Sequence, residues 1–365
     1  MTLHIFNPEH DIALASNLSN FTAPHAGRQL RNDLGFLPAL WAKEGDQILV
    51  EHEESAQKAY RRVCHRLEKL GIADYSQAGK KIFPGREKNI PRLGINCVQP
   101  WGWDRAIRRE LERMGLSSSL LPTEEQIEQI RELSHRRTSA QLLPRIQMEG
   151  TVGEAFECTT IEQVYELFER YGRLVLKAPW SSSGRGVRFC DAARLNKKEE
   201  IKDNHEEIIY KNWISNILKT QGSIMAEPYY NKVKDFGMEF MADEDGRINY
   251  LGLSLFHTVN GAYEGNVLAT ENVKNELISR YVSIELLDKV KQNIIECLRL
   301  PHYVGPFGID MMVTKEGLHP CVEINLRRTM GHVALAISPT DDDIRGVMRV
   351  LYDGNHYKLK INKLR

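Results

Sequence analysis

The sequence lacks any long apolar run. Its longest apolar stretches, such as residues 37–42 with Pro38 inside them, fall far short of the ~18 residues that span a bilayer, so no membrane segment is expected. An excess of charge of one sign is also missing. The 49 Lys and Arg balance 49 Asp and Glu, which selects neither a polyanion partner such as nucleic acid nor a disordered, self-repelling chain. Cysteine is sparse. Cys64, Cys97, Cys158, Cys190, Cys297 and Cys321 include no Cys-x-x-Cys and no Cys-His pair at zinc-ligand spacing, and they read as reduced, mostly buried thiols. Two motifs are incomplete. His205-Glu206-Glu207 opens like a zinc-protease helix, but Ile209 stands where the second histidine is needed, and Gly79-Lys80-Lys81 lacks the hydroxyl and the upstream glycine of a phosphate-binding loop. The run Met1 to Asn7 has no basic region followed by an apolar stretch and a cleavage site, so a cleaved signal is not expected and the cytoplasm is the expected address.

What is present describes an ordinary globular chain. With 365 residues, 42% of them hydrophobic, it has length for two or three packed units. The first segment alternates strand and helix signals, with strands expected at residues 3–6, 47–50 and 94–98 and a charged helix over 104–114. That is an α/β layer of parallel strands with crossover helices. Residues 116–122, rich in Ser and ended by Pro122, read as a linker. Thr123 and Gln126 form a capping-box signature before a helix over 124–133, and a second helix over 161–171 closes on Gly172. Strands follow at 173–178, 187–190, 223–229, 237–242 and 248–257. Helices resume over 272–300 with a break near 281–284, then comes a hairpin over 308–325, and helical stretches are expected from there to the end. The chain accordingly divides into 1–118, 119–222 and 223–365.

Leu174-Val-Leu-Lys177-Ala-Pro-Trp-Ser-Ser182-Ser183-Gly184-Arg-Gly186-Val187 reads as strand, small flexible loop, strand. Backbone amides of such a loop can close on phosphate oxygens, with Lys177 adding a point charge. The same text also suits a plain hairpin tip. Since Val187-Arg188-Phe189 continues as strand rather than opening a helix, a nicotinamide site is disfavoured. Residues 308–325 carry the second signal. If Glu316-Gly317 is a two-residue turn, antiparallel partners sum to 633, Asp310 faces Glu323, and Asn325 shares their face; this suits a hard cation that also binds phosphate. An exposed, solvated strand face is the alternative, and Pro320 points to an edge or a bulge.

Lys177 with its Ser- and Gly-rich loop, Met225-Ala-Glu227-Pro-Tyr229-Tyr230, Gly237-Met-Glu239-Phe, and Asp310 followed by Glu323-Ile-Asn325-Leu-Arg327 together resemble the ATP-grasp superfamily over residues 123–340. The resemblance implies an α/β (α+β) ATP-grasp architecture: an N-terminal α/β domain, a small lobe with the glycine-rich loop, and a large lobe with a magnesium site. It implies ATP and Mg2+ as cofactors. Lys177 would contact phosphates, with Ser182, Ser183, Gly184, Gly186 and Val187 in the loop over them. Glu227 would accept from the adenine amino group and the backbone of Tyr229 or Tyr230 would donate to the ring, because Pro228 has no N–H. Glu239 would take the ribose hydroxyls, and Asp310, Glu323 and Asn325 would be metal ligands. The family's earlier phosphate-binding lysine is replaced here by Arg136 or Arg137, with Arg136 favoured; a guanidinium keeps the charge and changes the geometry.

The implied reaction is that of an ADP-forming carboxylate-amine ligase, which phosphorylates a carboxylate and lets an amine attack the acyl phosphate. Such chemistry rests on positioning and charge neutralisation, so no nucleophilic triad is needed. The alternatives are a phosphotransferase acting on a hydroxyl and a nucleotide-binding module without turnover. Arg327 would share the face of Glu323 and Asn325 and act as a catalytic residue beside Lys177. Arg328, His257, Asn7 and Glu9 are candidate substrate contacts, the last two because Asn7-Pro-Glu9-His-Asp11 follows a strand end. His332 reads as a structural helix-start residue. Small-molecule partners are expected, an amino acid or peptide among them, with neither nucleic acid nor membrane; a homodimer is compatible with the composition.

Overall fold

The computed structural model describes residues 1–72, 83–85, 94–181, 186–191, 205–259 and 262–364, without the side chains of 205–209, 257–259 and 262–264. The chain opens with β1 (Thr2–Ile5), α1 (His10–Ser16), α2 (His25–Leu34), β2 (Gln47–Leu49), α3 (Glu53–Lys69), β3 (Cys97–Pro100) and α4 (Arg105–Arg113). β1 pairs in parallel with β2 on one side and β3 on the other, and the segments that follow β1 and β3 meet at the strand ends, where Asn7 donates to the Gly102 carbonyl at 2.8 Å. Asp104 caps α4 by accepting from the Ile107 N–H at 2.9 Å, which fixes the start of that helix.

Next come α5 (Glu124–Leu133), α6 (Arg137–Ile146), β4 (Phe156–Cys158), α7 (Ile161–Tyr171), β5 (Arg173–Lys177), β6 (Val187–Asp191), α8 (His205–Gln221) and β7 (Ile224–Pro228). α5 and α7 begin with complete capping boxes, at Thr123/Gln126 and Thr160/Gln163, as their sequence signatures require. The small sheet has the order β4-β7-β5-β6, so residues 224–228 belong with the strands before 222 rather than with those after. Its apolar face packs on α7 and α8 through Leu174, Leu176, Phe168 and Ile214.

β8 (Lys232–Ala242), β9 (Ile248–Ser254), β10 (Phe256–Val259), β11 (Ala262–Leu268), α9 (Glu271–Ile278), α10 (Ile284–Cys297), β12 (Gly305–Thr314), β13 (Leu318–Asn325) and α11 (Met330–Ala336) build the rest, and β14 (Gly346–Tyr352) with β15 (Tyr357–Lys363) ends the chain. The large sheet runs β13-β12-β8-β9. One face carries the stacked pair Phe240 and Phe307 into a core with α6 and α10, while the other face is polar. A further sheet, β10-β11-β14-β15, packs on the N-terminal layer.

The chain end is therefore a hairpin and not the helix expected from the sequence. Gly354 adopts φ +100° in the turn, and the Asp353 carboxylate accepts the N–H groups of Asn355 and His356 at 3.1 and 2.9 Å. From β14 the side chains of Val347, Arg349 and Leu351 alternate with those of Met348 and Val350, a period of two that places Met348 in the core.

Candidate active site

The late hairpin reaches the expected pairing by a different route. Asp310 does face Glu323, and Gly308 faces Asn325, but near the turn Val313 faces Leu318 and Met312 faces His319. The turn is set by Thr314, whose N–H and hydroxyl both donate to the Gly317 carbonyl, at 2.9 and 2.8 Å. Residues 320–322 then bulge against Met311 alone and restore the register. β13 is an edge strand and Pro320 lies in the bulge, where its missing N–H breaks no ladder.

This register puts Asp310, Glu323 and Asn325 on one face. Asn325 Nδ2 donates to Asp310 Oδ2 at 3.1 Å. Burial, then the facing Glu323 and Glu239 carboxylates, push Asp310 up to about 8. Among the described residues no three His, Cys, Asp or Glu side chains already stand close enough to hold a metal ion. Two acids with an amide oxygen on one face are hard donors of the kind that suit a divalent cation.

Arg136, at the start of α6, is buried over this face. Its Nη2 donates to Glu323 Oε1 at 2.7 Å, and its Nη1 to Ser181 Oγ at 2.9 Å and to the Ala178 carbonyl. Ser139 one turn on accepts the Ile324 N–H at 2.9 Å, tying α6 to β13. Arg137 turns away toward Glu132 and Glu157, so the structure brings Arg136, not Arg137, to the carboxylates.

In the small lobe, Lys177 and Val187 face each other across β5 and β6, the strands that flank the glycine-rich segment. Ser182, Ser183 and Gly184 lie outside the described residues. Gly186 is described: its carbonyl accepts the Ala178 N–H at 2.8 Å, and a Cβ there would collide with Ser181. Lys177 Nζ stands 2.6 Å from the Glu227 carboxylate, both groups buried. At the hinge, the Tyr229 N–H donates to the Arg173 carbonyl at 3.0 Å, and the Tyr230 N–H has no backbone partner among the described residues. The Arg173 guanidinium lies 3.8 Å over the Tyr229 ring.

Glu239 is not an open acceptor near the hinge. It pairs with Gly308 in the row of Asn325, accepts the Thr329 hydroxyl at 2.8 Å and lies 2.9 Å from His332 Nδ1. His332 completes the capping box of α11 and contacts the Phe240 carbonyl at 3.2 Å, so its role is structural.

Arg327 extends the polar face, but its fork is occupied. Nε and Nη2 reach Asp11 at 2.9 and 2.8 Å, and Nη2 also donates to Asn325 Oδ1 at 3.0 Å. Burial is the largest influence and raises Asp11, but the Arg327 charge and hydrogen bond, with the charges of His10 and Arg136, together hold the carboxyl below the usual range. Asp11 is the residue sequence reasoning passed over, although it ends the run that supplied Asn7 and Glu9. Those two do not reach this face. Asn7 is buried and donates to the Gly102 carbonyl at 2.8 Å, and Glu9 is paired with Arg31 at 2.8 Å. Arg328 stacks 4.5 Å over Trp41, and burial pushes its guanidinium down to about 10. His257 lies in β10 opposite Gly265, its side chain outside the described residues.

No protein-family model matches the sequence, and no curated protein matches it. Solved structures do. One is N5-carboxyaminoimidazole synthetase from Staphylococcus aureus complexed with ADP: TM-score 0.51, 13% identity, covering 97% of this chain and 83% of that one. Another is a biotin carboxylase complex with β,γ-ATP from Campylobacter jejuni: TM-score 0.50, 13% identity, covering 96% of this chain and 75% of that one. At such identity the likeness is one of fold, the ATP-grasp fold. Neither description names an amino acid or a peptide, so that expectation gains nothing from them.

Proposed function

We propose, from an ATP-grasp fold with these groups along its cleft, that the protein is an ADP-forming ligase that activates a small carboxylate with ATP and joins it to an amine. The observation that carries the reading is the row of Asp310, Glu323 and Asn325 with Arg136 and Arg327 on either side. The two solved structures of like fold are described as bound to ADP and to a β,γ-ATP compound, which supports a nucleotide between the lobes.

Asp310, Glu323 and Asn325 would hold the divalent cation, which when bound supplies charge neutralisation at the phosphates. Lys177 and Arg136 add fixed positive charge from the small-lobe side, and Glu227 with the Tyr230 amide offers an acceptor and a donor for the base edge. The groups act by placing and neutralising, since phosphoryl transfer requires no covalent attack by the protein. The division into a nucleotide-binding pair of lobes and an N-terminal substrate-facing layer belongs to the same proposal.

The test is ADP release by the full chain with MgATP and pools of small carboxylic acids and amines. Release that depends on one acid and one amine, with inorganic phosphate appearing in step, is expected. Glu323→Gln should lower it by about 100-fold or more. ADP formed without free phosphate would mark transfer to a hydroxyl instead, and no ADP from any pool would leave only a binding module.

A further inference from the structure

The N-terminal layer touches the Arg327-Arg328 segment three times. Asp11, one residue into α1, takes the Nε and Nη2 edge of Arg327. The Trp101 carbonyl, at the end of β3, accepts the Arg328 N–H at 2.9 Å. Trp41, between α2 and β2, lies under the Arg328 guanidinium. The loops that supply the first two are tied to each other, because Asn7 donates to Gly102 and Asp104, and His10 Nδ1 stands 3.3 Å from Asp104 Oδ2. A Cβ on Gly102 would collide with the His10 ring, so the two loops meet closely.

Arg327 is thereby held on three sides. Asp11 takes one edge, Asn325 Oδ1 shares Nη2, and the Arg328 carbonyl accepts from Nη1 at 3.2 Å. Of the five N–H groups of a guanidinium, this leaves one on Nη1 without a partner among the described residues, open to an incoming anion. We propose that Asp11 is a positioning residue for Arg327, and that the N-terminal layer acts at the site by aiming that remaining donor at the transferring phosphoryl group. The inference rests on the nucleotide reading above.

A passive tether would make the same contacts, so the test must read what orientation alone changes. The probe is MgADP with and without aluminium fluoride, which mimics the phosphoryl group in flight, on the full-length chain. In the parent, aluminium fluoride should tighten MgADP binding. Asp11→Asn should leave MgADP affinity within about twofold and reduce the added tightening about 10-fold, as loss of one aimed charge-assisted bond predicts. Arg327→Ala should remove the same increment, and the double variant should lose no more than either single one. Asp11→Glu, which keeps the charge but shifts it by a methylene, should also lose part of the increment, and it serves if Asp11→Asn does not fold. An unchanged increment in both Asp11 variants, with Arg327→Ala losing it, would reduce Asp11 to a tether. A larger increment would make Asp11 a competitor for the seat and overturn the proposal. If Glu323→Gln left MgADP binding intact and the parent gained nothing from aluminium fluoride, the nucleotide reading itself would fall, and this inference with it.

Discussion

His319 shows what a single buried residue contributes here. It is 1% exposed, stacks edge-on with Tyr230 at 5.6 Å, and neither ring nitrogen has a hydrogen-bond partner among the described residues. A neutral imidazole carries one N–H and one lone pair, so one orphaned donor and one orphaned acceptor stay buried, at a cost of about 1–3 kcal/mol each. Burial, then the charge of Lys177, holds its pKa down to about 3 against an ordinary 6.5. The sign follows. Between pH 6.5 and 3 the unfolded chain binds a proton that the folded chain refuses, so the folded state loses stability as the pH falls. His319→Leu should raise the thermal midpoint at pH 7 and flatten its fall over that acid window. An acid limb of unchanged slope would show that His319 titrates like a solvated residue. His319 was invisible in the sequence because it stands in ordinary alternating text, whereas Lys177, Glu227 and Asp310 carried spacing that the fold respects. Asp11 was overlooked for a related reason: its partner lies at Arg327, across the whole chain, and no local pattern announces such a pair.

At the level of elements, β12 and β13 show how a right pairing can follow from a wrong turn. The expected two-residue turn at Glu316-Gly317 would give a uniform register, yet the strands near the turn pair as Val313 with Leu318. Only the bulge at residues 320–322 brings Asp310 back to Glu323. Pro320 was the legible sign of that bulge. α11 offers the sharper test. Gly331 in its first turn packs so closely on Glu239 that an added methyl would overlap the carboxylate and crowd Ser254. Gly331→Ala should therefore displace Glu239 from Thr329 and cost about 1–3 kcal/mol, although alanine is the better helix former. Chemical denaturation measures this; a stabilised variant would mean that the contact is loose. The terminal hairpin was misread because residues 330–336 do form a helix, and that periodicity was carried past Pro339 into text that alternates instead.

Across the whole molecule, the first and last segments share one core. Phe36, Leu37, Val63 and Leu67 from the N-terminal layer pack with Leu268, Val333, Met348 and Ile361. The hairpin is also tied by polar contacts: Arg66 Nε donates to the Ile361 carbonyl at 2.7 Å, and the Tyr357 N–H donates to Asp33 at 2.8 Å. The N-terminal layer thus has two sides: Leu3, Ile5, Leu49, Val98, Ile107 and Leu111 form a core of its own, while the side under α2 and α3 shares its core with the chain end. Its three strands are short, and α2 and α3 would expose apolar faces without β15. Unfolding of α2, α3 and the terminal hairpin should consequently be one cooperative event. Ile361→Ala is expected to cost about 2–5 kcal/mol and to speed backbone hydrogen exchange in α2 and α3 as much as in β15. A chain ending at Thr340 should leave those two helices unprotected, while α1, held to the start of α4 through His10 and Asp104 on the side of the layer's own core, should keep the Asp11 contact on Arg327. Full protection of α2 and α3 in that shortened chain would show that the layer stands on its own. The same experiment decides whether the site's outermost acid is held by the entire fold or by its own loop.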